Sequence, residues 1–230
     1  MTSTHFENAC GLDRAGHVST ARDVAVMSRE MLTNHSDITR YTTIWMDSLR
    51  GGQTQLLNTN KLLKRYAGIT GLKTGTTSGA GVCISASATR DGLSLIAVVL
   101  GSPSSADRFD AATALLDYGF ANFESGAPAL PDTAPKTLPV RRGGAEQVGL
   151  SYQLPGQLLL KKGESAALTV ELQLPEVLEA PVEAGQQIGT MRVLAGETVL
   201  GEYPVTAAET VPRMDFALGL RRLLDALLVL

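Results

Sequence analysis

The sequence is poor in cysteine and aromatic residues and has almost balanced charge. It has only 2 cysteines in 230 residues, too few for a disulfide framework or a cysteine-based zinc site. Aromatic residues make up 5% and the formal net charge is −3, which argues against base stacking and against a basic surface for nucleic acid. No apolar run is long enough to cross a bilayer, and no signal peptide is recognisable. The 44% of hydrophobic residues nevertheless predicts a folded core rather than disorder.

The two cysteines, Cys10 and Cys83, leave two interpretations open. They could form a disulfide in an oxidising compartment, but two free thiols in a core are the more common case. We therefore expect both to be structural. No combination of residues in the sequence predicts a metal site or a bound cofactor.

The composition changes along the chain and predicts an α+β protein with four parts. Residues 1–124 mix helical and strand patterns, and residues 125–139 are rich in proline, which predicts a linker. Residues 140–212 alternate over short stretches, as at 166–174 and 190–194, which predicts a small all-β domain of sandwich type.

Helices and strands can be placed in the first part. Thr20 or Ser19 is expected to cap a helix that runs to Asn34. Residues 82–89 and 93–100 are predicted to be paired strands, joined by a tight turn at 90–92. Because the second of them is almost wholly apolar, we expect it to be buried on both faces. A helix is predicted at 105–123, with one buried side made by Ala111, Leu115, Leu116 and Tyr118.

The C-terminal segment 213–230 has an amphipathic pattern. Its apolar residues recur at helical spacing and its charges fall on another face; the apolar set is Phe216, Leu220, Leu223, Leu224 and Leu227. About 27 Å of helix with charges in the middle is more typical of a helix lying in a membrane interface than of one that crosses. A terminal helix docked on the protein is the alternative.

The most informative stretch is 71–81, Gly-Leu-Lys-Thr-Gly-Thr-Thr-Ser-Gly-Ala-Gly. A phosphate loop would need a glycine where Leu72 stands, and the glycine spacing does not fit a dinucleotide fingerprint. A Lys-Thr-Gly triad on an active-site strand fits better, although a glycine-rich turn with an exposed lysine is equally compatible with the triad alone.

The residue types suit peptide chemistry at such a strand. Lys73 would place a cation beside a nucleophile and a substrate carboxylate. Thr74 and Thr76 would offer hydroxyls to that carboxylate, and the Thr76 N–H could help to bind an oxyanion. Gly75 would let a substrate backbone lie close to the strand.

Further stretches surround the triad in a characteristic order, namely 4–13, 19–23, 57–63 and 85–89. Together they resemble the D-alanyl-D-alanine carboxypeptidases of peptidase S11 type, the low-molecular-mass penicillin-binding proteins of the bacterial envelope. The resemblance covers nearly the whole chain, including the β domain and the amphipathic tail, which in that family anchors the enzyme on the outer face of the cytoplasmic membrane.

The resemblance implies a function. The family removes the terminal D-alanine from peptidoglycan stem pentapeptides through a serine acyl-enzyme, without metal or cofactor. It implies Lys73, Thr74, Gly75 and Thr76 as substrate-binding residues. Arg108, in Asp-Arg-Phe, stands where relatives carry an arginine near the substrate carboxylate, although a solvated arginine in the first turn of a helix is an equal alternative.

Two motifs of the family are missing. No serine is followed by lysine three residues later, and no Ser-x-Asn occurs. Both belong upstream of the segment that begins at Thr4, so we expect that about half of the catalytic domain is absent. The chain alone is then expected to be inactive, and to bind β-lactams covalently only if that segment is supplied.

Other candidate sites are weaker. His5, His17 and His35 lack partnered Ser or Cys motifs, and the Gly-Glu-Ser stretch at Ser165 only imitates a nucleophile elbow. Two hypotheses therefore stand: a serine-type D-Ala-D-Ala carboxypeptidase, with transpeptidase or β-lactamase activity as runners-up on the same scaffold, and a non-catalytic envelope remnant or binding module.

Overall fold

The computed structural model describes residues 1–221 and has a mixed α+β fold. The chain forms two compact units, Met1–Glu124 and a second unit that begins at Ser125. The first unit contains the helices α1 Ala21–Asn34, α2 Thr39–Thr42, α3 Leu62–Arg65 and α4 Ser105–Asn122.

Strands dominate the rest of the described chain. The first six are β1 Met46–Leu49, β2 Thr54–Leu57, β3 Ile69–Thr77, β4 Gly81–Arg90, β5 Leu93–Ser102 and β6 Phe123–Gly126. The other seven are β7 Thr137–Arg141, β8 Gln147–Tyr152, β9 Leu158–Lys161, β10 Leu168–Gln173, β11 Leu178–Glu179, β12 Gln187–Ala195 and β13 Thr198–Ala207.

Helix α1 begins where its capping residues predict. The hydroxyl of Thr20 accepts a hydrogen bond from the Asp23 N–H at 3.2 Å, which satisfies one of the free donors of the first turn. The carboxylate of Asp23 accepts further hydrogen bonds from the Thr4 hydroxyl and the Ser3 N–H, and these lower its pKa. The start of the chain is thereby tied to α1.

The central sheet of the first unit is antiparallel, with β4 between β3 and β5. The predicted turn between the last two strands is confirmed: Asp91 and Gly92 both have positive φ, 48° and 77°, as a tight two-residue hairpin requires. The expectation that β5 is buried on both faces holds only in part: α1 and α4 both contact β5 and residues 96–99 are buried or half-buried, but Leu100 is 41% exposed.

The two faces of the sheet pack differently. One face of β4 presents Ile84, Ala86 and Ala88 to a fully apolar cluster with α4. The other face carries Ser85, whose hydroxyl lies 2.7 Å from that of Ser28 on α1. The sheet is therefore apolar on the α4 side and partly polar on the α1 side.

The predicted buried side of α4 is right for Leu116, which is 1% exposed, and wrong for two of its other members. Leu115 and Tyr118 are 51% and 64% exposed. The residues that pack on the sheet lie at a different helical register and are Phe109, Ala112, Leu116 and Gly119. A sequence with many small residues offers two plausible apolar stripes, and the contact with β4 and β5 selects the one that contains Phe109.

The second unit is built on one six-stranded sheet in the order β10-β12-β13-β8-β7-β11. Strand β10 alternates between half-buried and exposed residues, as its sequence predicts. The inward side chains surround Met191, Val193 and Val205, which are fully buried. Pro139 lies within β7, opposite Gln147 of β8, so the proline-rich stretch 125–139 already contains the start of this sheet.

The C-terminal segment is only partly described. Residues 216–221 are helical, and the carboxylate of Asp215 caps them by accepting from the Leu218 N–H at 2.7 Å. Phe216 is 85% exposed. The predicted amphipathic residues Leu223, Leu224 and Leu227 lie outside the described residues, and within 1–221 we find no helix with the length and apolar character of a membrane span.

Candidate functional site

The Lys-Thr-Gly triad lies in the middle of β3, at the edge of the central sheet. Within residues 1–221, β3 pairs with β4 on one side and with no strand on the other. An edge strand presents free backbone donors and acceptors to an extended peptide. The phosphate-loop alternative does not fit this geometry, because Lys73 and Thr74 lie within an extended strand rather than in a loop that opens a helix.

The register of β3 assigns its side chains to two faces. Lys73 is paired with Ser85, so the two side chains share the α1 side of the sheet, whereas Thr74 is paired with Ile84 on the α4 side. Lys73 is exposed, and its ammonium donates to the main-chain carbonyl of Thr74. The lysine is therefore folded back over the strand that carries it.

Gly75 is open on the side where a side chain would stand. A Cβ at this position would meet no atom within 4 Å, and both Gly75 and Thr76 are exposed. Packing therefore does not explain why this residue is glycine. The absence of a side chain leaves the surface of β3 free for a backbone to approach.

Thr74, in contrast, is only 7% exposed. Its hydroxyl lies 2.5 Å from the hydroxyl of Thr59, which belongs to the loop before α3. The next residue of that loop, Asn60, donates from Nδ2 to the carbonyl of Gly71 at 3.2 Å. The stretch 58–60 thus holds β3 at two points, a role that the sequence analysis did not assign.

Arg108 is buried rather than solvated, with 6% of its surface exposed. From the first turn of α4 its Nη1 donates to the carbonyls of Gly75 at 3.2 Å and Cys83 at 3.0 Å. Burial lowers the pKa of its guanidinium. Its Nε has no hydrogen-bond partner among the described residues. A buried guanidinium with an unused donor therefore lies directly beside the glycine of the triad.

A loop near the N-terminus is tied to the far end of β3. The Asp13 carboxylate accepts from the Gly79 N–H at 2.9 Å and from the Thr77 hydroxyl, and these hydrogen bonds lower its pKa. The turn between β3 and β4 is therefore anchored to this loop. Asp13 ends the stretch 4–13 that carries part of the family resemblance, but nothing in the sequence indicated its partner.

The cysteines are free and lie in different environments. Cys83 is half-buried in β4, opposite Gly75. Cys10 is exposed, and its thiol donates to Asn8 Oδ1 at 3.3 Å. The expectation of two core thiols is therefore wrong for Cys10, which lies in the loop that Asp13 anchors.

The alternative sites gain no support. His5 pairs with Glu7 at 2.8 Å on the surface, and the ring of His17 accepts from the Glu7 N–H. Ser165 lies in a short 3-10 helix of the second unit, not at a turn from a strand into an α-helix. Among the described residues, no three His, Cys, Asp or Glu side chains cluster as a metal site would require.

Comparison with known proteins finds two families whose models match parts of this chain. The family profile described as D-alanyl-D-alanine carboxypeptidase matches residues 1–104, and the profile of the penicillin-binding protein 5 C-terminal domain matches residues 123–213. D-alanyl-D-alanine carboxypeptidase DacF of Bacillus subtilis is 33% identical over 96% of this chain and 58% of its own length. DacC of Escherichia coli is 32% identical over 94% of this chain and 54% of its own length.

Solved structures agree with these matches. Penicillin-binding protein 5 from Haemophilus influenzae superposes with a TM-score of 0.71 at 26% identity, over 91% of this chain and 61% of that one. Penicillin-binding protein 6B from Escherichia coli gives a TM-score of 0.62 at 28% identity, over 87% of this chain and 54% of that one. The chain thus spans little more than half the length of the curated relatives it matches.

Proposed function

The chain belongs to the D-alanyl-D-alanine carboxypeptidase family, and on that premise we propose that its first unit binds the D-Ala-D-Ala end of a peptidoglycan stem peptide. The activity proposed for the whole enzyme is a serine-type carboxypeptidase that removes the terminal D-alanine during cell-wall synthesis. Lys73, Thr74, Gly75, Thr76 and Arg108 are the proposed substrate-binding residues.

One observation carries most of this proposal. The buried guanidinium of Arg108 lies against the carbonyl of Gly75 and keeps its Nε without a partner among the described residues. Guanidinium groups bind carboxylates strongly, and a desolvated charge without an acidic partner is costly unless an anion neutralises it. The terminal carboxylate of the peptide is the anion that we assign to this end of β3.

With the carboxylate placed at Arg108, roles can be proposed for Gly75, Lys73 and the Thr76 N–H. A peptide extended along the free edge of β3 would pass Gly75, where nothing hinders it. The exposed Lys73 would add positive charge near the reacting carbonyl, and the Thr76 N–H would help to bind the oxyanion that forms there. These groups orient substrate and stabilise charge, but they supply no attacking oxygen.

The proposed reaction needs a serine that this sequence does not contain in the required motif. Its Oγ would attack the carbonyl of the penultimate D-alanine, the C–N bond would break, and D-alanine would leave with the proton taken from the serine. Water would then hydrolyse the acyl-enzyme. Because no Ser-x-x-Lys occurs in the 230 residues, we propose that this polypeptide binds the peptide without cleaving it.

The same absence favours a second candidate, a non-catalytic binding module of the cell envelope. Such a module would keep the carboxylate site, the β domain at 140–212 and the segment 213–230, for which we propose contact with the outer face of the cytoplasmic membrane. The exposed Phe216 supports a lipid contact at the start of that segment. Residues 125–139 would link the two parts.

Both candidates require the same binding step, which can be tested on the 230-residue protein. Addition of N-acetyl-D-alanyl-D-alanine should shift the NMR amide signals of residues 73–77, and N-acetyl-L-alanyl-L-alanine should do so much less. Arg108→Gln should weaken the effect at least tenfold, whereas Arg29→Gln, at an exposed site on α1, should not. Equal response to both peptides, or none at β3, would overturn the proposal.

A further inference from the structure

The turn between β7 and β8, residues 141–144, is joined by its main chain to the start of the C-terminal segment. The Met214 N–H donates to the carbonyl of Arg142 at 2.7 Å. The Gly144 N–H donates to the carbonyl of Pro212, also at 2.7 Å. A β-bridge lies between these two hydrogen bonds. The turn and the start of the segment therefore form one continuous surface of the second unit.

The short helix at 216–221 rests on the same turn through one face only. Leu218 is half-buried, and a Cβ on Gly144 would lie 2.7 Å from its Cδ2, so the close approach requires glycine in the turn. Because successive residues of a helix are rotated by about 100°, Phe216 and Leu220 lie on the face opposite Leu218. They are 85% and 44% exposed. An apolar face is thus left open beside the turn.

Two exposed arginines lie beside this apolar face. Arg213 precedes Phe216 by three residues, and Arg142 is hydrogen bonded to Met214, two residues before Phe216. Within residues 1–221, neither arginine side chain forms an ion pair or a hydrogen bond. Arg142 also has a φ of 55°, a left-handed conformation that is uncommon for a residue of this size. Contacts within the described chain therefore do not explain why this residue is arginine.

The charge of this surface is opposite in sign to that of the whole chain, which is −3. The charged residues of the stretches 141–146 and 213–221 are Arg141, Arg142, Glu146, Arg213, Asp215 and Arg221. Glu179 of β11 lies opposite Arg141 and offsets its charge. The carboxylate of Asp215 accepts from the Leu218 N–H, which holds it at the helix start. A positive excess therefore remains next to the exposed apolar side chains.

We propose that the turn 141–144 is a second lipid-contact element, in which Arg142 and Arg213 bind the phosphates of anionic lipid headgroups while Phe216 and Leu220 enter the apolar layer. This assignment rests on the proposed membrane contact of the segment 213–230. It adds that part of the β domain itself lies on the lipid surface, and that this surface selects for negative charge. Cations next to apolar side chains suit the interface, where headgroup phosphates lie above acyl chains.

The test measures how the 230-residue protein partitions into vesicles of phosphatidylcholine alone and of phosphatidylcholine mixed with phosphatidylglycerol. The ratio of the two partition coefficients reports the preference for anionic lipid, and it should fall as salt is added. One basic residue near an anionic surface contributes about fivefold, so the double variant Arg142→Gln/Arg213→Gln should lower the ratio at least about tenfold. Its binding to phosphatidylcholine alone should change by less than about twofold.

The matched control removes the same charge from two other exposed residues of the second unit. Lys136→Gln/Lys161→Gln, at the other end of β7 and on β9, should preserve the ratio. Phe216→Ser should weaken binding to both kinds of vesicle, and unchanged binding would contradict the apolar contact.

A wild-type ratio in the arginine variant, or an equal loss in the lysine variant, would overturn the role of the turn and leave the membrane contact of 213–230 intact. Inorganic phosphate that releases the protein better than chloride of equal ionic strength would assign the arginines to a soluble phosphate and overturn the lipid assignment. Failure of the wild-type protein to bind either kind of vesicle would overturn both the turn's role and the membrane contact.

Discussion

Arg108 and Gly75 lie 33 residues apart in the chain and are joined by a hydrogen bond of 3.2 Å from the guanidinium to the main-chain carbonyl. The same Nη1 donates to the Cys83 carbonyl on the neighbouring strand. One buried side chain therefore ties α4 to both β3 and β4. Its structural role and its proposed role in binding can be separated by mutation.

Replacing Arg108 with methionine should destabilise the first unit by about 1–3 kcal/mol, because two partly buried carbonyls lose a charged donor. Native-state hydrogen exchange of the β3 and β4 amides would measure the loss. Arg108→Lys should recover part of the stability but not the peptide binding, since an ammonium cannot reproduce the fork of donors. Unchanged exchange in both variants would contradict the structural role.

Gly75→Val should abolish peptide binding and leave the stability of the fold almost unchanged. A Cβ here would meet no protein atom within 4 Å, so stability should change by less than about 1 kcal/mol. The valine would instead occupy the space proposed for the peptide backbone and abolish binding. Gly156→Val, at another open glycine in the second unit, is the matched control and should bind normally. Normal peptide binding by Gly75→Val would exclude the proposed path along β3.

The 230-residue polypeptide should not be acylated by a fluorescent β-lactam, because its sequence lacks the Ser-x-x-Lys motif. The measurement is a denaturing gel scanned for fluorescence, with penicillin-binding protein 5 from Haemophilus influenzae as the positive control. A labelled band at 24.3 kDa would show that another nucleophile reacts and would contradict this prediction.

Local signals in the sequence located the long elements α1, β4, β5 and α4 of the first unit, but not its short ones. The Thr20 cap and the Asp91-Gly92 turn depend on nearby residues alone, and the structure confirms both. The buried side of α4 depends on which stripe meets the sheet, a tertiary choice that periodicity could not settle. Leu115 was for that reason predicted to be buried, although it is 51% exposed.

At the candidate site, too, local motifs indicated some features and tertiary contacts decided the others. The triad alone left an active-site strand and a glycine-rich turn equally open, and the structure places it in β3, an edge strand among the described residues. The contact between Thr59 and Thr74 joins residues 15 apart in sequence and depends on how the loop before α3 meets β3. No spacing rule predicts such a contact, so the sequence assigned the carboxylate to Thr74 without any signal that its hydroxyl is covered.

The pH dependence of stability tests the buried contact that Tyr66 makes with α4. It is 9% exposed, and its hydroxyl donates to Asp117 Oδ1 on α4 at 2.7 Å. Burial, together with this hydrogen bond, raises the pKa of Tyr66 to about 12. The fold therefore favours the neutral phenol, whereas in the unfolded chain the phenol ionises near its ordinary pKa of about 10.

The stabilisation from neutral Tyr66 should be complete below about pH 10 and should be lost as the pH rises from about 10 towards 12. Tyr66→Phe lacks the hydroxyl that donates to Asp117, so at pH 8 it should be less stable than the wild type by about 1 kcal/mol, the value of the lost hydrogen bond. Phenylalanine cannot ionise, so only the wild type should lose stability as the pH rises above 10. That difference should shrink above pH 10. Urea unfolding followed by the fluorescence of Trp45, the single tryptophan, reports on the first unit. A difference that stays constant between pH 8 and pH 11.5 would show that Tyr66 ionises equally in the folded and unfolded chain, and would contradict the raised pKa of Tyr66 in the fold.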